Sequence, residues 1–191
     1  MDTRVADQLR LRGGHLDFIG RSHIWIDDYD RADSVRFAQF ALANALAHTA
    51  PGQLEVLVFD DALRGIAAPF QEVNSGGEKI LRHINDVQEL NETIKYLHEH
   101  VRSVLNVIQG RTESLLDFRQ QLSPKVEGFK LVVLSTIYDL LSDEIKDKLT
   151  VLLKAGPAAG VTFLIHSMKL NVNKEILNLT QLCDVDERTV Y

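Results

Sequence analysis

Residues 23–34 read HIWIDDYDRADS. Four carboxylates, Asp27, Asp28, Asp30 and Asp33, follow one short apolar run and precede an amphipathic stretch that begins SVRFAQF. Clustered carboxylates suit Mg²⁺, and one of them could attack a phosphorus atom. A strand, a tight loop and a helix also make the frame that cradles phosphate. That cradle needs glycines for close backbone approach and a lysine for the charge. Residues 27–34 contain neither. A calcium loop fits no better, because DDYDRADSVRFAQF lacks the turn glycine and the closing glutamate.

Other reactive side chains sit at the ends of apolar runs. Asp60 and Asp61 follow LEVLVF, Ser135 and Thr136 follow FKLVVL, and His166 and Ser167 close GVTFLIHS. If these runs are parallel strands, their carboxyl ends share one edge, where open α/β sheets bind ligands. A structural role is the plainer expectation for His166, as it is for His23. His98 and His100 are expected on a helix surface. Trp25, Phe37 and Phe40 are expected to pack, and Cys183 to be an inert core residue.

The positioning elements follow from periodicity. Strands are predicted at 23–26, 54–60, 129–135 and 160–167, apolar and rich in β-branched residues, as in a sheet buried on both faces. A helix is predicted over 34–49, with Asp33 or Ser34 as its N-cap. A long helix is predicted from Asp86 to Ile108, with Asp86 and Glu89 as a capping box and Gly110 as its stop. Further helices are expected at 113–121, 142–155 and 173–182. Residues 61–85 read as irregular, with Gly76-Gly77 at an exposed turn. Alternating strands and helices imply βαβ units and a mostly parallel sheet.

This order resembles the motor domain of FtsK/SpoIIIE-type translocases, RecA-like P-loop ATPases that move DNA or, in type VII secretion, drive protein export. HIWIDDYDRADSVRFAQFALANAL is similar to that family's first strand, Walker A loop and helix. LEVLVFDDAL is similar to its second strand, ending in Asp60. INDVQELNETIKYLHEHVRSVLNVIQGRTESLLDFRQQ is similar to its long helix, glycine break and short helix, with Glu99 and Arg102 echoing a Glu-x-Arg element. FKLVVLSTIYDLL is similar to the Walker B strand, and KAGPAAGVTFLIHS to the Ala-Ala-Gly turn and a strand ending in a sensor residue, Ser167. The resemblance implies a three-layer RecA-like P-loop fold over 15–191, with 1–14 as an N-terminal extension. It is carried by order and spacing together.

The departures are systematic. In this register Asp27 and Ala32 replace the two glycines, Asp33 replaces the lysine, and only the hydroxyl of Ser34 remains. At about 4 Å and an effective dielectric of about 20, one like-charge pair costs roughly 4 kcal/mol, about a thousandfold in affinity. Ser135-Thr136 stand where the family has Asp-Glu, and Gly156-Pro157 where it often has a basic residue. The resemblance thus implies a degenerate ATPase with no catalytic residues and no cofactor, ATP and Mg²⁺ entering only if the loop works in a non-standard way. The expected partners are other ATPase domains or subunits of a larger machine. A second resemblance is to haloacid-dehalogenase phosphatases, with Asp28 and Asp30 as nucleophile and acid and Asp60 as a further Mg²⁺ ligand. There the acid pair should follow the Ser/Thr strand, and here it precedes it.

Composition bounds these readings. The 191 residues carry a net charge of −6 and a single cysteine. No disulfide framework or Cys-rich zinc site is available. DNA, which the resemblance offers as a partner, is not favoured by this charge. No apolar stretch reaches bilayer length and no leader is visible, so a cytoplasmic domain without membrane contact is expected. The chain ends at DVDERTVY, where another strand is expected to begin, which points to a piece of a longer protein.

Overall fold

The computed structural model describes residues 16–27, 32–50, 52–74, 80–121, 128–168, 171–172 and 174–183. Six strands form one sheet: β1 (His23–Ile26), β2 (Leu54–Asp60), β3 (Leu81–Ile84), β4 (Phe129–Ser135), β5 (Val161–His166) and β6 (Thr180–Cys183). Their order across the sheet is β3-β2-β4-β5-β1-β6, and every pairing is parallel. The helices are α1 (Ala32–His48), α2 (Val87–Ile108), α3 (Leu115–Gln121), α4 (Asp143–Ala155) and α5 (Lys174–Leu179). From β1 to β3 the chain steps one way across the sheet, and from β3 to β6 it steps back. Right-handed crossovers therefore place α1 on one face and α2 to α5 on the other. α1 packs on β1 and β5, while α4 packs against both α2 and α5.

Strands buried on both faces explain the largely apolar runs: every residue of β1, β4 and β5 is buried. The core closes around Trp25, Phe37, Phe59 and Phe163. Trp25 meets Tyr138 edge-on at 5.5 Å between ring centroids, a favoured aromatic geometry. The caps of α2 form as its sequence demands. Asp86 Oδ1 accepts from Glu89 N at 2.8 Å. Glu89 Oε2 reaches back to Asn85 N at 2.9 Å rather than to Asp86. Gly110 takes φ 75° just past the helix end, a conformation that favours glycine.

Four expectations need correction. α1 starts at Ala32, so Asp33 and Ser34 lie inside its first turn and neither is its N-cap. The stretch read as irregular contains β3, whose central Arg82 and His83 are exposed and break the apolar run. The last helix is shorter than expected, and Thr180–Cys183 form the edge strand β6. His100 is buried, because it falls one turn from Leu97 and Val104 on the inner face of α2. The Gly76-Gly77 turn, the 1–14 extension and the DVDERTVY end lie outside the described residues.

Candidate functional site

In the parallel register Asp60 lies beside Ser135, Ser135 beside His166, and His166 beside Ile26. This row crosses the carboxyl edge of the sheet and points to the α1 face. α1 brings Ser34 down onto it. Ser34 Oγ lies 2.8 Å from His166 Nε2, and Ser135 Oγ lies 3.0 Å from His166 Nδ1. All three residues are 0% exposed. Either imidazole tautomer is served here. The protonated nitrogen donates to one serine Oγ, and the other serine donates its O–H to the bare nitrogen.

A serine beside a histidine is the pairing of a nucleophile and its base. Complete burial removes that chemistry, because no substrate atom reaches either Oγ. The arrangement instead fastens the first turn of α1 to the ends of β4 and β5. The sequence signal for it was the position of His166 at a strand's carboxyl end. Its partner Ser34 lies 132 residues away, and nothing local names it.

The remaining candidates are placed as follows. Asp33 sits in the first turn of α1, where a carboxylate is favoured by the helix dipole, and pairs with Arg36 at 3.3 Å. Ala32 opens that turn and is exposed. Asp27 is half-buried just beyond β1, while Asp28 and Asp30 lie outside the described residues. Asp60 accepts from Arg64 N at 2.9 Å and Gly65 N at 2.8 Å, so both carboxylate oxygens hold the turn that follows β2. Thr136 Oγ1 donates to Asp61 Oδ2 at 2.5 Å, and Thr136 N donates to His166 O at 3.2 Å. Ser167 lies one residue past β5. Its Oγ accepts from Tyr138 N at 2.9 Å, and its carbonyl accepts from Trp25 Nε1 at 3.1 Å. Glu99 and Arg102 are exposed on α2.

Gly156 has no room for a side chain. A Cβ there would lie 2.5 Å from Leu152 O and 2.8 Å from Val161 O. The turn it opens, Pro157–Ala159 and Gly160, leads the chain into β5, with Val161 N donating to Gly156 O at 2.8 Å. Among the described residues no group of three or more His, Cys, Asp or Glu is placed to hold a metal ion. Among them, too, no helix is long and apolar enough to cross a membrane.

No family model matches the sequence, and no curated protein matches it. Solved structures do. The cytoplasmic domain of the type VII secretion ATPase EccC from Thermomonospora curvata is similar over 87% of this chain, at 14% identity and a TM-score of 0.71. ATPases 2 and 3 of EssC from Geobacillus thermodenitrificans are similar over 87%, at 14% identity and a TM-score of 0.69. Thermomonospora curvata EccC ATPases 2 and 3, in complex with a signal sequence peptide, are similar over 85%, at 10% identity and a TM-score of 0.61. This chain spans 20%, 33% and 29% of those three chains. At such identities the likeness is one of fold: a parallel α/β sheet of the P-loop ATPase kind.

Proposed function

We propose that this chain is an ATPase-like module that has kept the fold and lost hydrolysis. It acts as a structural or interaction part of a translocating machine of the type VII secretion or DNA-translocase kind. The observation that carries this reading is the buried Ser34–His166–Ser135 chain. Ser34 is the one phosphate-loop side chain retained, and in a working loop its hydroxyl would hold Mg²⁺. Here that hydroxyl faces an imidazole instead. Ser135, at the position of the metal-binding carboxylate, faces the same ring from the other side.

Two further observations support it. Asp33 places a negative charge where the phosphate-binding lysine would be, and Arg36 already pairs with it. Gly156 is walled in by backbone oxygens, so the basic residue of the resemblance has no room there. The machine context comes from the solved neighbours, which are parts of longer secretion ATPases. Their partners here would be other ATPase domains or subunits.

Isothermal titration with ATP plus Mg²⁺, beside Mg²⁺ alone, tests the reading. No heat of binding is expected in either. Tight ATP binding would refute it. Heat with Mg²⁺ alone would move the function to a carboxylate site built on Asp28, Asp30 and Asp60.

A further inference from the structure

Leu63 and Leu140 are the most exposed large apolar side chains among the described residues, at 88% and 79%. Both stand on turns at the carboxyl edge of the sheet, after the neighbouring strands β2 and β4. Neither turn is slack. Leu63 takes φ 52°, the one positive φ among the described non-glycine residues. Its turn is held by Leu63 N donating to Asp60 O at 3.2 Å and by the Asp60 carboxylate on Arg64 N and Gly65 N. Leu140 sits in the turn Tyr138–Leu140, with Leu140 N donating to Ile137 O at 2.9 Å. That turn is anchored by buried Tyr138, whose N donates to Ser167 Oγ. Thr136 Oγ1 on Asp61 Oδ2 ties the two turns together. A cavity of about 240 Å³ opens beside Leu63, lined by the apolar Val58, Ala67 and Ile84 and by the polar Asp60, Gln71 and Asn85.

The charge around these leucines is one-sided. Asp27, Asp33, Asp60, Asp61, Asp139 and Asp143 lie along this edge, and they outnumber its described cations, Arg36, Arg64 and Lys146. Arg36 pairs with Asp33, and Lys146 lies 3.7 Å from Asp143. Exposed apolar groups with a polar rim mark interaction sites, and an acidic rim selects a basic partner.

We propose that this edge docks a partner protein through an apolar side chain flanked by Lys or Arg, with Leu63 and Leu140 as the apolar contacts. A nucleotide or an anionic membrane meets repulsion here. A second copy joined by a two-fold axis brings acid against acid. The same acids that are wrong for phosphate are right for such a surface. This names the partner chemistry for the interaction role proposed above and rests on that role. The absence of hydrolysis is tested separately by calorimetry, so failure here leaves that result standing.

A phage-displayed library of random peptides, selected on the immobilised protein, reads the partner chemistry directly. The expected outcome is enrichment of sequences with an apolar residue flanked by Lys or Arg. Synthetic versions should bind about tenfold more weakly to the L63S/L140S double variant, and more weakly in high salt. Both substitutions are at exposed positions, so thermal denaturation should confirm an intact fold. No enrichment, enrichment of sequences without basic residues, or binding unchanged in the double variant overturns the proposal. So does sedimentation showing a dimer that the double variant abolishes, because the edge would then belong to a second copy.

Discussion

Lowering the pH should destabilise this protein through His23. The ring is 0% exposed, and both nitrogens are committed. Nδ1 accepts from Phe163 N at 2.9 Å, which places the proton on Nε2, where it donates to Leu153 O at 2.9 Å. A second proton would set N–H against N–H at Phe163. Burial pushes the pKa down from 6.5 to about 4, only partly offset by the bond to Leu153. Between those values the unfolded chain binds the proton and the folded chain does not. Stability therefore rises with pH across this window, is complete above about 6.5, and is lost as the pH falls towards 4. Integrating the two titrations gives a loss of about 2 kcal/mol between pH 7 and pH 5, and about 3 kcal/mol by pH 4. Urea denaturation of wild type and His23→Gln at pH 7, 6, 5 and 4 measures it. Other titrating groups act in both proteins and cancel in the difference. Wild type should lose that much more than the variant, and parallel pH profiles between 7 and 5 would refute the reasoning.

Two other substitutions test the frame. His166→Leu takes the ring from the buried hydroxyl of Ser135, at about 1–3 kcal/mol. Denaturation should show a loss of about 1–3 kcal/mol, part of it recovered when Ser135→Ala is added, whereas a neutral single variant would mean the chain of hydrogen bonds holds nothing. Gly160→Ala meets φ 77° together with a Cβ placed 2.6 Å from Leu115 Cδ2. The backbone alone should cost about 1–2 kcal/mol, read as a lower urea midpoint at unchanged slope.

The readable parts of the fold were those where one strong local signal decides the outcome. β1, β2 and β4 are mostly apolar runs, and their bounds follow from composition. Asp86 and Ser142 cap α2 and α4 by bonds to residues three along, so their starts are written locally. β3 and β6 are four-residue edge strands, and strands this short draw their stability from the neighbour they pair with. β3 hides its signal behind two exposed residues. β6 follows α5 with no breaking residue between them, so its apolar positions read as one more helical turn.

The site divides in the same way. The strand–helix frame is readable in HIWIDDYDRADS, because β1 and α1 follow one another in the chain. What fills the frame is not contiguous. Three residues at positions 34, 135 and 166 meet only because β4 lies beside β5 and α1 packs on β5. On the reading proposed above, a helix N-terminus without an anion still needs something to hold it against the sheet. His166 supplies that hold from within the chain, by bonds to hydroxyls. On that reading the fold stands without nucleotide, and the sequence before α1 is released to carry acids. The ring at position 166 and the aspartates at the outer edge are, on this reading, two halves of one change: the first makes phosphate unnecessary to the frame, and the second makes it unwelcome.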